Sequence, residues 1–184
     1  MEAFQKLGIN DFDTFFSKVQ QNQLFDLYEK GKITSNDLRT ELKKHSQPGT
    51  SDDAINTSWN AILLDLPPKR LDMLKKINHS HRSFLLSNTN EIHITQIQHY
   101  LQQTFGIPNL ESHFEKVYLS YKINMRKPDV EIFQFVLTEN NLIPEETLFI
   151  DDSPQHLEGA KKLGIHTYWL DVERESITDL FLTT

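Results

Sequence analysis

The sequence contains no cysteine among its 184 residues. A chain without cysteine cannot build a disulfide framework and cannot use a thiolate as nucleophile or metal ligand. No apolar run approaches the roughly 18 residues that a membrane-spanning helix needs. The N-terminal stretch MEAFQKLGINDF also lacks the basic start and apolar centre of a signal peptide. These absences predict a cytoplasmic protein without a membrane partner.

Positive charge is scarce as well. The chain has 19 Lys and Arg against 26 Asp and Glu, which gives a net charge of −7, and the two signs are mixed along the sequence. Binding of nucleic acid needs a concentrated basic surface, so we do not expect a nucleic-acid partner. An apolar fraction of 38% with 10% aromatic residues is typical of a globular chain with a hydrophobic core.

The pattern of the chain changes at a pair of prolines, Pro67 and Pro68. Residues 1–66 contain no convincing strand and are predicted to form short helices, two of which have clear start signals in Thr34 with Asp37 and in Ser51. From Pro67 onward, helical stretches alternate with the strand-like stretches SFLLSN, KVYLS, TLFID and HTYWLD. This alternation predicts an α/β fold with a parallel sheet covered by helices. We therefore predict a helical module over 1–66 and an α/β core over 67–184.

Polar residues follow three of the predicted strands. Ser87 and Asn88 come after the first, Lys127 after the second, and Asp151 and Asp152 after the third. Ligands of open α/β sheets bind at the carboxyl ends of the strands. A carboxylate pair can hold a divalent cation, a lysine can neutralise phosphate charge, and a hydroxyl and an amide can bond phosphate oxygens. The set therefore predicts a site that handles a phosphoryl group.

Three stretches of the chain resemble motifs of one enzyme family. FLLSNTNEIH, RKPDVEIF and LFIDDSPQHLEGAKKLGI look like the second, third and fourth motifs of the haloacid dehalogenase (HAD) superfamily, in the order of that family. LYEKGKITSNDL is similar to the helical cap of its sugar-phosphate phosphatase branch. A response-regulator receiver also combines these residue types, but its acid pair comes first. The resemblance implies a Rossmann-like core with an N-terminal helical cap.

The same resemblance implies an activity, which is Mg²⁺-dependent hydrolysis of a small phosphate monoester through an aspartyl-phosphate intermediate. In this reading Ser87 and Asn88 bind the phosphoryl group, and Lys127 stabilises its charge and orients the nucleophile. Asp151 holds Mg²⁺, and Asp152 assists directly or through water. The family often has Asn at the position of His156. All eight histidines are predicted to have structural or solvent roles. Trp59 and Trp169 are expected to pack rather than to contact a ligand.

The first motif of the family, a buried strand followed by Asp-x-Asp, is expected to be missing. Asp11-Phe-Asp13 has the right spacing, but KLGIN before it is no buried strand, and Asp11 is predicted to cap a helix. In the family that strand is the centre of the sheet, flanked by the strands that end at Ser87 and Asp151. Without it those two strands would lie roughly 9.6 Å apart with unpaired edges.

Two explanations for the missing motif stay open: either the natural protein starts before Met1, or the chain does not catalyse. We expect a phosphatase in its intact form that is inactive as written. One alternative is a non-catalytic phosphate- or metal-binding relative. A further alternative is a haloacid dehalogenase, which needs the same missing aspartate but no metal. The paired acids Asp151 and Asp152 favour the metal-dependent phosphatase.

Overall fold

The computed structural model describes residues 2–9 and 23–181, so the candidate motif Asp11-Phe-Asp13 lies outside the described residues. The chain divides into two compact units, which we describe separately. The first unit comprises Met1–Leu66, Leu85–Ser112 and Lys116–Asn124, and the second comprises Pro67–Phe84, His113–Glu115 and Met125–Thr184. One boundary between the units falls after Leu66, but the division into a cap over 1–66 and a core over 67–184 stays a prediction.

Helices and short strands make up the described residues. The α-helices are α1 Glu2–Gln5, α2 Leu24–Glu29, α3 Ser35–His45, α4 Asp52–Asn60, α5 Pro68–Ile77, α6 Glu91–Phe105, α7 Ser120–Ile123, α8 Val130–Asn140, α9 Pro154–Lys161 and α10 Ile177–Phe181. The strands are β1 Phe84–Ser87, β2 Lys116–Leu119, β3 Leu148–Asp151 and β4 His166–Trp169. Within 2–9 and 23–181, none of these helices is long and apolar enough to cross a bilayer.

Short polar side chains fix the starts of the longer helices in the first unit. The predicted capping box of α3 is present, since Asp37 N donates to Thr34 Oγ1 over 3.2 Å and Thr34 N donates to Asp37 Oδ2 over 2.8 Å. The predicted cap of α4 is also confirmed, because Ala54 N donates to Ser51 Oγ over 3.2 Å. Each bond satisfies a backbone N–H group that the first helical turn leaves without an internal partner.

The core of the first unit is an apolar cluster built by residues from two of its three segments. Leu38, Leu42 and Ile55 are fully buried on the facing sides of α3 and α4, and Ile92 joins them from α6. Leu38 and Leu42 are spaced four residues apart, which places both on one face of α3. The remaining buried members of the cluster are Phe4, Leu7, Ile9 and Tyr28.

The second unit is organised around a pair of parallel strands. β3 and β4 pair in parallel, with Leu148 opposite His166 and Asp151 opposite Trp169. α9 connects the two strands and contacts both of them, as a parallel crossover requires. Its residues Leu157 and Ala160 are buried.

The four strands form two separate pairs within the described residues, β1 with β2 and β3 with β4. β1 and β3 end at Ser87 and Asp151, the two residues whose strands flank the central strand in the family. Each of these strands has a single strand neighbour in the described part of the chain. This arrangement agrees with the prediction that the central strand is missing from these residues.

Gly159 allows α9 to lie unusually close to the turn that precedes α8. A Cβ atom at this position would come within 2.2 Å of Pro128 O and 2.7 Å of Phe133 Cε2. Separations below 3.0 Å do not occur for real Cβ atoms, and the first of these contacts is with rigid backbone. Only glycine therefore permits this packing between α9 and the turn at Pro128.

We predict that the substitution Gly159→Ala destabilises the protein by about 1–3 kcal/mol, because the new methyl group overpacks a buried contact. In an open helix the same change would instead stabilise by roughly 0.5–1 kcal/mol. The midpoint of urea-induced unfolding measures the effect. Gln155→Ala, at an exposed position of the same helix, is the control and should change stability little. A Gly159→Ala protein as stable as the wild type would contradict the close packing of α9.

Candidate phosphate- and metal-binding site

Asp151 ends β3 and is held by three neighbours in the second unit. Lys127 Nζ donates to Asp151 Oδ2 over 2.6 Å, and Ser153 N donates to Asp151 Oδ1 over 2.8 Å. His156 Nδ1 lies 2.9 Å from the same Oδ1 atom. The side chains of Lys127 and Asp151 are only 8% and 7% exposed. The structure therefore brings two of the predicted site residues together in a buried ion pair.

The environment of Asp151 keeps its carboxyl group ionised. Burial by itself would raise the pKa of Asp151, because it removes the charged form from water. The hydrogen bond from His156, the charge and hydrogen bond of Lys127 and the amide of Ser153 outweigh burial and lower the pKa to about 2. Asp151 thus presents a fixed anionic oxygen at neutral pH.

The turn before α8 positions Lys127 against β3. The Lys127–Pro128 peptide bond is cis, and Pro128 O lies where Gly159 allows α9 to approach. The ammonium group also lies 5.4 Å from the ring centroid of Phe149, which precedes Asp151 by two residues in the same strand. Lys127 therefore reaches Asp151 from a turn packed on α9, and not from a free surface loop.

Asp152 is exposed and follows directly on Asp151. Its backbone oxygen accepts a hydrogen bond from Trp169 Nε1 over 3.0 Å. Trp169 lies opposite Asp151 in the β3–β4 register, and 51% of its surface is exposed. Trp169 was predicted to pack against the protein, and its exposure corrects that prediction. Its indole instead helps to hold the loop that carries the second acid.

Ser87 and Asn88 belong to the first unit, where they end β1 and begin the loop to α6. Two residues further on, Asn90 is 2% exposed and its Oδ1 accepts from His93 N over 3.1 Å, which caps α6. The same oxygen lies 3.4 Å from Trp59 Nε1. The loop that carries the predicted phosphate-binding residues is thus anchored to both α6 and α4.

The donor set at the end of β3 fits a magnesium ion. Mg²⁺ prefers oxygen ligands and is usually bound by one or two carboxylates, with water and substrate phosphate completing its coordination. Asp151 and Asp152 are two carboxylates that could serve as these ligands. Among residues 2–9 and 23–181, no group of three or more His, Cys, Asp or Glu side chains is clustered for a metal.

Comparison with known proteins places the chain in a family. The sequence model of the haloacid dehalogenase-like hydrolases matches residues 72–170. D-ribitol-5-phosphate phosphatase of Bacteroides thetaiotaomicron is 31% identical over 168 residues, which cover 91% of this chain and 81% of that protein. The chain belongs to the haloacid dehalogenase-like hydrolase family.

Solved structures agree with this assignment. A HAD family enzyme of Bacteroides thetaiotaomicron, crystallised with magnesium and inorganic phosphate, superimposes with a TM-score of 0.84 at 36% identity, over 98% of this chain and 89% of that one. A predicted HAD-like family hydrolase of Porphyromonas gingivalis superimposes with a TM-score of 0.80 at 27% identity, over 95% of this chain and 89% of that one. The predicted α/β Rossmann-like class of the family is thus confirmed.

Sequence reasoning did not predict the contacts of two histidines. His156 stands in the first turn of α9 and contacts Asp151, a contact that its spacing of five residues from the aspartate could have indicated. His93 was predicted only to have a structural or solvent role. It is buried, its Nδ1 lies 2.9 Å from Asn60 Oδ1, and its ring stacks on Trp59. Burial lowers the pKa of His93 to about 4.

We predict that Lys127→Met destabilises the protein by about 3–5 kcal/mol, because it leaves a buried carboxylate without its cationic partner. Urea unfolding at pH 7 measures the effect. The control is Lys75→Met, which breaks a pair with Asp72 whose side chains are 66% and 65% exposed. That exposed pair should contribute less than about 1 kcal/mol. Equal costs for the two substitutions would contradict the buried ion pair.

His93 should make the protein sensitive to mild acid. The unfolded chain protonates this histidine near pH 6.5, whereas the folded protein resists protonation until about pH 4. The unfolded state therefore binds more protons in this window, and stability falls as the pH drops through it. By this linkage the free energy of unfolding at pH 5 should be about 2 kcal/mol lower than at pH 7 through His93 alone.

Urea unfolding of the wild type and of His93→Gln at pH 7 and pH 5 isolates this contribution. Glutamine keeps a polar group near Asn60 but does not titrate. The substituted protein should lose less stability between the two pH values than the wild type does. Identical pH dependence in the two proteins would show that His93 is not responsible.

Proposed function

We propose that this protein carries the Mg²⁺- and phosphate-binding residues of a phosphatase that acts on a small phosphate monoester. The observation that carries the proposal is the buried, ionised Asp151 carboxylate at the end of β3, paired with Lys127. Two comparisons support it, since one relative is a D-ribitol-5-phosphate phosphatase and one structural neighbour binds magnesium and inorganic phosphate. By analogy with that relative, a phosphorylated polyol or sugar is the substrate class we favour.

Each predicted site residue has a distinct role in this proposal. Asp151 and Asp152 are the oxygen ligands of Mg²⁺, and the bound ion supplies positive charge that neutralises the phosphate oxygens. Lys127 binds the phosphoryl group as a point charge while remaining bonded to Asp151. Ser87 and Asn88 are proposed to donate hydrogen bonds to phosphate oxygens.

His156 is proposed to orient Asp151. An ionised carboxylate can only accept hydrogen bonds, so the 2.9 Å contact with His156 Nδ1 requires a proton on that nitrogen. Oδ1 of Asp151 then accepts from both His156 and the Ser153 amide, while Oδ2 accepts from Lys127. Three of the roughly four acceptor sites of the carboxylate are then used, which fixes its plane and leaves one site on Oδ2 for a ligand.

Phosphoryl transfer in this family needs a carboxylate nucleophile. Asp-x-Asp occurs in the sequence at Asp11-Phe-Asp13, outside the described residues, and no strand of the described part is followed by that motif. We therefore propose that residues 1–184 bind Mg²⁺ and phosphate but do not turn over substrate. This observation also favours the second candidate, a non-catalytic phosphate-binding relative. A haloacid dehalogenase would not need the two acids after β3 as metal ligands.

Calorimetric titration of inorganic phosphate into the chain, with and without Mg²⁺, tests the binding half of the proposal. Phosphate should bind measurably only with Mg²⁺, and Asp151→Asn should weaken binding by about tenfold or more, since it removes a charged ligand of the ion. Asp72→Asn removes the same charge from an exposed position of the second unit and should bind like the wild type. Phosphate binding that is the same without Mg²⁺ and in Asp151→Asn would overturn the proposed site.

Assays of phosphate release from a panel of polyol and sugar phosphates, including D-ribitol 5-phosphate, test the catalytic half. The 184-residue chain should bind phosphate without turnover. Turnover that Asp11→Asn abolishes would instead identify Asp11 as the nucleophile and contradict its prediction as a helix cap. Turnover that persists in Asp11→Asn would show that the reaction does not depend on that Asp-x-Asp.

A further inference from the structure

Ser120 is a fully buried hydroxyl that the proposed function does not use. It is the first residue of α7, directly after β2, and none of its surface is exposed. Its Oγ accepts a hydrogen bond from Thr89 N over 2.9 Å and donates one to Thr89 O over 3.0 Å. One side chain thus satisfies both backbone groups of a residue that is 31 positions away in the sequence.

Thr89 depends on such a partner because it lies between β1 and α6, outside both elements. It is 5% exposed, so water does not readily replace a lost bond. A buried backbone N–H or C=O group without a partner costs free energy comparable to a lost hydrogen bond. The position of Thr89 is therefore set by Ser120.

Thr89 directly follows Asn88, and the next residue, Asn90, is itself fixed by capping α6. The loop Ser87–Asn90 is held by β1 at its start, by Ser120 in its middle and by the Asn90 cap at its end. A rotation of the peptide at Thr89 would change the direction of the Asn88 carbonyl and of the backbone that carries both side chains.

We propose that Ser120 is a positioning residue for phosphate binding: it holds Thr89 so that Ser87 and Asn88 present their donors in one fixed orientation. The inference rests on the proposed function, since it needs Ser87 and Asn88 to bind phosphate. Ser120 itself is fully buried, so in this proposal it acts through Thr89 and not by contact with the phosphoryl group. Hydrogen-bond donors bind a ligand more tightly when neighbouring packing and hydrogen bonds hold them in place.

The test is the substitution Ser120→Ala, which removes both bonds to Thr89 while adding no bulk. The matched control is Ser58→Ala in the same unit, because Ser58 is also buried and its Oγ donates to the backbone oxygen of Ala3 over 2.9 Å. Both proteins lose a buried hydroxyl and a backbone contact. Only Ser120→Ala loosens the loop that carries Ser87 and Asn88. Ser120→Cys, with weaker hydrogen bonds at similar size, provides a milder variant.

The first readout is calorimetric titration with inorganic phosphate in the presence of Mg²⁺. Ser120→Ala should weaken phosphate binding by about tenfold, the cost of one well-placed charged hydrogen bond, and Ser120→Cys should weaken it less. Ser58→Ala should bind like the wild type even where it unfolds at lower urea concentration. Unchanged phosphate affinity in folded Ser120→Ala, or an equal loss in Ser58→Ala, would overturn the proposal.

The second readout is amide hydrogen exchange of residues 87–90 without phosphate. Exchange in this loop should accelerate in Ser120→Ala and Ser120→Cys but not in Ser58→Ala. If the wild type binds no phosphate, the proposed function fails, and a role of Ser120 in phosphate binding fails with it. If the wild type binds phosphate but loop exchange is the same in all four proteins, the proposed function stands and the role of Ser120 is wrong.

Discussion

A carboxylate buried at the end of a strand constrains the whole second unit. The side chain of Asp151 is only 7% exposed and yet ionised, and an isolated buried charge is far too costly for a folded protein to retain. The chain meets this cost with partners from three places: a turn gives Lys127, the loop after β3 gives the Ser153 amide, and α9 gives His156. The buried charge of Asp151 is therefore stabilised only when these three segments pack together around it.

Other features of the second unit serve the same arrangement. The missing side chain of Gly159 lets α9 approach the turn at Pro128, which is the turn that carries Lys127. Parallel pairing sets Trp169 beside Asp151, and the indole bonds the backbone of Asp152. In the first unit the corresponding constraint is the loop after β1, where Ser120 and Asn90 hold the residues around Thr89. In both units, buried polar contacts thus hold the loops at the ends of the strands.

Local signals in the sequence predicted much of this structure. Thr34 with Asp37 and Ser51 mark helix starts through bonds that span three residues, and a sequence shows such bonds directly. The strand ends at Ser87 and Asp151 were recognised because short apolar runs meet polar residues there, and strand ends are where α/β proteins place their ligands. The family motifs identified the same residues independently.

Local sequence signals could not predict contacts between residues that are far apart in the sequence. No local sequence pattern indicates the pairing of Ser120 with Thr89 or the contact of Gly159 with Pro128. The burial of His93 was not predicted, because it depends on stacking against Trp59 of α4, a residue distant in the sequence. The short helix α7 escaped notice because it is only four residues long.

Asp151 and Asp152 are proposed to bind a divalent cation at the end of β3, and the rest of the proposed function depends on that binding. Paramagnetic Mn²⁺, titrated into the protein in place of Mg²⁺ and followed by NMR, is the measurement that tests it. We expect selective broadening of the amide signals of residues 151–153, its reversal by excess Mg²⁺, and its loss in Asp151→Asn. Broadening centred instead on exposed acids such as Asp52 and Asp53, and unchanged in Asp151→Asn, would show that the cation does not bind at the end of β3.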